Sequence, residues 1–232
     1  MHDASFWRNL ESQVKKYDLL CHPFYKAWAA GELTREDLRA YASAYFPHVS
    51  SFPKYLETLA GEMPESPARI AVLQNAEDEL GIGSLDGRSH ADLWLDFAEG
   101  MGARREDVET SNVVPEVAAL VSYFQRTAQE GSLAAALAAF YAYESQVPRV
   151  AKEKARGLKE LYGANPATCQ YFSLHTTADV HHAQVWRDLL DRELAHAGGE
   201  AASRALESAE QAAQALWLAL DGIERERLAR SN

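Results

Sequence analysis

The segment Leu133–Glu144, LAAALAAFYAYE, is apolar on every side of a helical wheel and then ends in a carboxylate. A helix without a polar face has to be surrounded, so this stretch predicts a central helix, and its alanines let neighbouring helices approach closely. The rest of the chain reads as the helices around it. Ala, Leu, Glu, Gln and Arg dominate, whereas β-branched residues are scattered, which favours helix over strand. From Thr34, the string TREDLRAYASAYFPHVSSFPKYLETLA opens on a Thr N-cap with acidic residues in its first turn. Its Leu38, Tyr41, Tyr45, Phe52, Tyr55 and Leu59 recur at steps of three or four, with one gap at His48, as one helix face requires. Pro47 and Pro53 fall inside the pattern and predict kinks.

Further helices are predicted near 3–18, 65–80, 90–101, 115–129, 131–161, 165–197 and 199–229. They are separated by the breakers MPESP at 63–67, GIGSLDG at 81–87 and GG at 198–199. After Pro148 the sequence turns basic and amphipathic, which predicts that the central helix emerges from the core there. The last stretch carries Leu206, Ala213, Leu216, Leu220 and Ile223 on one side, as a closing helix or a dimer interface, with a solvated end from Arg225. No repeat of 20–50 residues and no low-complexity linker occurs, so the expectation is one all-α domain over 1–232.

Composition excludes several functions. Lys and Arg number 23 against 34 Asp and Glu, a net charge of −11, which disfavours binding to nucleic-acid phosphates. The longest apolar run, Leu133 to Tyr143, is well short of the ~20 residues of a membrane span. The start MHDASFWRNL has no basic region followed by an apolar one, so no signal peptide is expected. Cys21 and Cys169 lie far apart without CxxC spacing, which fits a reducing cytoplasm and neither a disulfide framework nor a thiolate zinc site.

Metal-ligating residue types fall on apolar faces. In YFSLHTTADVHHAQVW, His175, Asp179 and His182 stand at i, i+4 and i+7, which predicts a single helix stripe. Two imidazoles and a carboxylate there suit iron, manganese or zinc; a hydrogen-bonded pair of core histidines is the alternative. His181 falls off the stripe. Glu144 ends the apolar run, so its carboxylate enters the core and needs a partner or a metal. Glu79 in NAEDELG and His90 across the glycine-rich connection complete three carboxylates and three imidazoles, a set for two iron-type ions. Gly81, Gly83 and Gly87 suggest a mobile connection that orders when metal arrives. A ferritin-like bundle needs two Glu-x-x-His pairs, and only Glu193–His196 is present, at a helix end. Tyr25, Tyr41, Tyr45, Tyr141 and Tyr143 crowd the same faces. Lys154 lies ten residues past Glu144, about 80° round a continuous helix, which would let it border the same cavity. On spacing alone, between Lys152 and Arg156, it reads as part of an exposed basic face.

The strings GELTREDLRAYASAYF, FPKYLETL, AFYAYESQVPRVAKEKARGL and YFSLHTTADVHHA resemble the family of the chlamydial protein associating with death domains. That family belongs to the heme-oxygenase-like diiron oxidases, related in fold to TenA and PqqC. The resemblance spans roughly residues 6 to 195 and is carried above all by YESQVPR and H-x3-D-x2-H. It implies a heme-oxygenase-like helical bundle holding two first-row metals, Fe/Fe or Fe/Mn, on the positions matching Glu79, His90, Glu144, His175, Asp179 and His182. The chief departure is a longer glycine-rich connection before His90. It further implies a dioxygen-dependent, self-sacrificing synthesis of para-aminobenzoate for folate. In that reaction the residue matching Tyr25 is the ring precursor, that matching Lys154 the amino donor, and that matching Tyr41 a redox neighbour. An external reductant and a homodimer are part of the same expectation. Two other classes stand beside it: a diiron oxidase acting on an external small molecule, and a non-enzymatic helical interaction module. A TenA-type hydrolase would need a cysteine nucleophile, and neither cysteine has a paired base by spacing.

Overall fold

The computed structural model describes residues 4–83 and 87–230, and these form helices and short connections with no strand among them. The helices are α1 (Ala4–Lys15), α2 (Pro23–Ala30), α3 (Arg35–Glu62), α4 (Pro67–Glu79), α5 (His90–Gly100), α6 (Arg105–Glu109), α7 (Pro115–Glu130), α8 (Leu133–Glu144), α9 (Val147–Glu160), α10 (Pro166–His175), α11 (Ala178–His196) and α12 (Gly199–Arg230). A 3₁₀ turn at Leu19–Cys21 leads into α2. Only two segments were missed entirely, this turn with α2 and the five-residue α6. The start of α2 is nonetheless marked in sequence: His22 accepts from the Phe24 amide, and Pro23 follows in the first turn.

α8 is the axis of the fold. All but three of its residues are buried against α7, α9, α11 and α12. α12 meets it with Ala205, Ala209, Ala212, Ala213, Leu216, Ala219 and Leu220, all buried, so two alanine-rich faces pack at short range. The closing-helix alternative for α12 is thereby accounted for within one chain. α12 stays helical to Arg230, with its side chains largely exposed from Arg225 onward.

α3 begins with a reciprocal cap, the Asp37 amide donating to Thr34 Oγ1 and the Thr34 amide to Asp37 Oδ2. It continues through Pro47 and Pro53 as one helix. Pro47 cannot donate to the Ser43 carbonyl, and Ser111 Oγ supplies a hydrogen bond there at 3.4 Å. His48 fills the gap in the apolar face. Burial pushes its pKa down to about 3, so the neutral ring packs among Tyr45, Tyr55, Phe124 and Tyr143.

Two predicted helices are each broken in two. The 131–161 helix stops at Glu144 and restarts at Val147, with Pro148 in the first turn of α9, where a missing amide hydrogen costs least. The central helix therefore ends rather than emerging from the core. The 165–197 helix breaks at Thr176 and Thr177, whose hydroxyls donate back to the Ser173 and Leu174 carbonyls and compete with helix continuation.

α9 packs on α2 and α10. Gly157 permits the contact, since a Cβ there would sit 2.8 Å from Cδ1 and Nε1 of Trp28, whose indole donates to the Lys154 carbonyl. Gly157→Ala is expected to destabilise the fold by about 1–3 kcal/mol through overpacking. At roughly 2–4 °C per kcal/mol for a chain of this size, thermal denaturation will show it as a clear loss of melting temperature.

Candidate metal centre

Three helices end at one place. Glu79 is the last residue of α4, Glu144 of α8 and His175 of α10, while His90 opens α5 and Asp179 lies in the first turn of α11. Helix C-termini carry partial negative charge, so three of them together with three carboxylates favour cations. All six residues named from the sequence are buried here, in two groups of three: Glu79, His90 and His175, and Glu144, Asp179 and His182. Within each group the ligand-type atoms lie within 4.8 Å of one another. Both groups line one small cavity of about 10 Å³ through Glu79, His175, Glu144 and Asp179.

The single stripe expected for His175, Asp179 and His182 is not what forms. The break at Thr176–Thr177 puts His175 on α10 and the other two on α11. His175 accordingly joins the Glu79 group. The glycine-rich connection supplies His90. A Cβ on Gly81, whose φ is +72°, would run into the Arg88 carbonyl, so the turn requires glycine. The expected mobility of this connection falls partly on residues 84–86, which lie outside the described residues. His181 and His196 are exposed, as their positions suggested.

The ring nitrogens are oriented for ligation. His175 Nδ1 donates to the Tyr171 carbonyl at 2.7 Å, leaving Nε2 with its lone pair. His182 Nε2 donates to Asp78 Oδ2 at 3.2 Å, which turns Nδ1 toward Asp179 Oδ1 (3.4 Å) and Glu144 Oε2 (3.7 Å). His90 Nδ1 sits 2.8 Å from Glu79 Oε2. Neither His90 Nδ1 nor His182 Nδ1 has an aligned hydrogen bond. Buried carboxylate oxygens and ring nitrogens that converge without aligned hydrogen bonds offer ligand atoms to a cation, whose binding would displace the ring protons.

Electrostatics agree. Burial, with Asp179 and Glu79 adding to it, pushes Glu144 up to about 8 although His182 draws it down. Burial opposes charge on His182, but Asp179 and Glu144 outweigh it and raise its pKa to about 10. Burial also opposes ionised Glu79, yet His90 beside it holds the carboxyl below its ordinary value. Two divalent ions would compensate three buried carboxylates. The residues present therefore fit a pair of first-row ions. Sequence reasoning missed the groups behind them: Glu144 accepts from Trp186 Nε1 at 2.7 Å and from Asn75 Nδ2 at 3.3 Å. The signal was helix spacing, since Asn75 precedes Glu79 by one turn and Trp186 follows His182 by one turn.

On the other side of Tyr143 and Tyr171 lies a second cavity of about 30 Å³, bordered by Tyr25, Tyr45, Trp94 and Lys154. The exposed basic face expected for Lys154 is overturned. Because α9 is a separate helix, arithmetic from Glu144 does not apply, and the side chain is buried. Its Nζ donates to Tyr25 OH at 2.7 Å and to Tyr41 OH at 2.5 Å, and the two phenols are 3.0 Å apart. Burial alone takes the lysine well below its ordinary pKa, toward the neutral amine. Burial likewise raises both phenols. Cys169 is buried with a raised pKa, the opposite of an activated thiolate.

Anaerobic loading with ferrous or manganous ion should give two ions per chain. His175→Ala and Glu144→Ala should each lose one, from different groups, in metal analysis after desalting. Two retained ions in either variant would rule out these ligand sets.

The family model for iron-containing redox enzymes matches residues 39–217. A 4-aminobenzoate synthase of Chlamydia trachomatis serovar D is 37% identical over 220 residues, covering 94% of this chain and 92% of the relative. Another 4-aminobenzoate synthase, of Nitrosomonas europaea, is 34% identical over 229 residues, 96% of this chain and 92% of the relative. In structure, a domain with a heme oxygenase-like fold from Shewanella denitrificans superposes with a TM-score of 0.81 at 17% identity, covering 98% of this chain and 94% of that one. The chain thus belongs to the heme-oxygenase-like family of iron-containing redox enzymes, together with the 4-aminobenzoate synthases of Chlamydia and Nitrosomonas.

Proposed function

We propose that this protein is a dioxygen-dependent 4-aminobenzoate synthase that consumes its own Tyr25, with Lys154 as the amino donor. The observation that carries the reading is the contact of Lys154 Nζ with Tyr25 OH, 2.7 Å, at the wall of a small cavity that shares Tyr143 and Tyr171 with the candidate metal cluster. In 4-aminobenzoate a nitrogen occupies the ring position that holds the hydroxyl in tyrosine, and this is where the amine rests. Two bound ions, iron with iron or iron with manganese, supply the redox chemistry that makes dioxygen an oxidant.

The chain's own residues set up the rest. Burial lowers the Lys154 pKa well below its ordinary value, which favours the free amine with the lone pair that a nucleophile needs. Tyr41 holds Nζ from the side away from the cavity: it stacks between Phe24 and Tyr45 and does not border that space, whereas Tyr25 does. Tyr25 is therefore the ring open to oxidation and Tyr41 its supporting neighbour. Trp94 and Phe172 give the same cavity an apolar lining. Three bonds must break: the Cα–Cβ bond of Tyr25, with Cβ leaving as the carboxylate carbon; the ring C–O bond of Tyr25, replaced by a bond to Nζ as the oxygen leaves as water; and the Cε–Nζ bond of Lys154, which leaves Cε at the oxidation level of an aldehyde. Dioxygen and an external reductant supply the balance of electrons.

The cavity beside Lys154, about 30 Å³, holds about two waters and no free aromatic ring, so a ring that meets this amine is one the chain supplies; an external substrate would have to use the open cleft bordered by His90 and His182. Tethering also provides the high effective concentration of an intramolecular reaction.

Protein made with ring-labelled tyrosine, loaded with ferrous and manganous ions and exposed to air with reductant, should release at most one labelled 4-aminobenzoate per chain. The peptide containing residue 25 should lose the side-chain mass in parallel. Tyr25→Phe should fold, bind metal and release none, and Tyr41→Phe should release less. Repeated turnover with residue 25 intact would move the protein to the class of oxidases with an external substrate.

A further inference from the structure

The last turn of α4 touches both ligand groups. Glu79 points into the first, while the preceding residue, about 100° round the helix, faces an open cleft bordered by His90, His182, Ile82 and Leu174. That residue is Asp78. Its Oδ2 accepts from His182 Nε2 at 3.2 Å, and its side chain is 58% exposed while the imidazole is 5% exposed. One turn earlier, Asn75 donates to Glu144 Oε1. The second group is thus held from both flanks by α4, one side from within the core and the other from solvent.

The two groups differ in how their histidines are fixed. His175 is oriented by the main-chain carbonyl of Tyr171, four residues back on α10, an acceptor that cannot swing away while the helix persists. His182 is oriented by a side chain that can rotate into the cleft and exchange its hydrogen bond for water. A carboxylate only accepts, so while the contact lasts Nε2 carries the hydrogen and Nδ1 is presented to Glu144 and Asp179.

We propose that Asp78 is a positioning residue for the Glu144–Asp179–His182 site, and that its exposed hydrogen bond makes this the exchangeable site of the pair. The inference rests on the reading of the six residues as metal ligands. It predicts unequal sites: the ion at Glu79, His90 and His175 leaves slowly, and the ion at Glu144, Asp179 and His182 leaves faster, by the side that faces the cleft.

The test is loss of manganous ion from the full-length protein into excess chelator, followed by desalting and metal analysis at timed intervals, without oxygen. The wild type should lose two ions in two phases. Glu144→Ala should show only the slow phase and His175→Ala only the fast one, which assigns them. Asp78→Ala should accelerate the fast phase 10–100-fold, the usual cost of removing the partner of a ligating histidine, and leave the slow phase unchanged. Asp78→Glu, which restores an acceptor, should recover much of the loss. The metal-free melting temperature of Asp78→Ala should match the wild type, since a general structural defect would lower it. Unchanged phases in Asp78→Ala, or acceleration of both phases alike, would overturn the proposal while leaving the two-ion site in place. A wild type that takes up no manganous ion would overturn the ligand assignment and this proposal together.

Discussion

Three buried carboxylates at the meeting point of helix ends are the constraint around which the fold is arranged. A carboxylate inside a protein has to be paired, hydrogen-bonded or neutralised. Here Glu144 gains only Trp186 and Asn75 as donors and lies close enough to Asp179 and Glu79 that burial and repulsion together push its pKa up to about 8. The three imidazoles offset part of this, and the Nδ1 atoms of His90 and His182, without aligned hydrogen bonds, remain as ligand atoms for cations. Stability for such a centre has to come from elsewhere in the chain. It comes from the alanine faces of α8 and α12, whose close packing anchors the helix that delivers Glu144.

Much of this was legible in the sequence because it depends on extremes of burial. An apolar run ending in Glu144 has no stable place except a core, and His and Asp at helical spacing on an apolar stretch announce buried polarity. The breaks were not legible. Pro148 marks only that something changes after Ser145–Gln146, and Thr176–Thr177 carry no breaker at all; what ends the second helix is a local competition of hydrogen bonds whose outcome depends on tertiary packing. The consequences are concrete. Continuity across Thr176 would have placed His175 with Asp179, and continuity across Ser145 made Lys154 look like one of a row of surface cations. The supporting residues show a further limit. Asn75 and Trp186 lie one turn from a ligand and could have been suspected, but spacing does not say that Asp78 reaches across to another helix while staying exposed.

The same break at Ser145–Gln146 creates the second half of the centre. Freed from the axis of α8, α9 turns Lys154 against α2 and α3, where it meets Tyr25 and Tyr41. Gln146, at the break, accepts from the Leu19 amide with its side-chain oxygen and donates to the Ala142 carbonyl. The turn before α2 is thereby tied to the end of α8, so the helix bearing Tyr25 and the helix bearing Glu144 share an anchor.

A lysine whose pKa burial lowers is itself a candidate ligand, so it has to be kept apart from the carboxylate–imidazole cluster. Tyr143 and Tyr171 resolve this by position: each borders both the carboxylate–imidazole cavity and the lysine cavity. Aromatic rings raised well above their ordinary pKa by burial are poor ligands, so they keep Lys154 from the ions without competing for them. The two cavities thus share Tyr143 and Tyr171 as lining, with the Tyr25–Lys154 contact on one side and the carboxylates and imidazoles on the other. In such an arrangement specificity does not need a binding pocket. It follows from which atoms are covalently held on each side of the two-tyrosine wall.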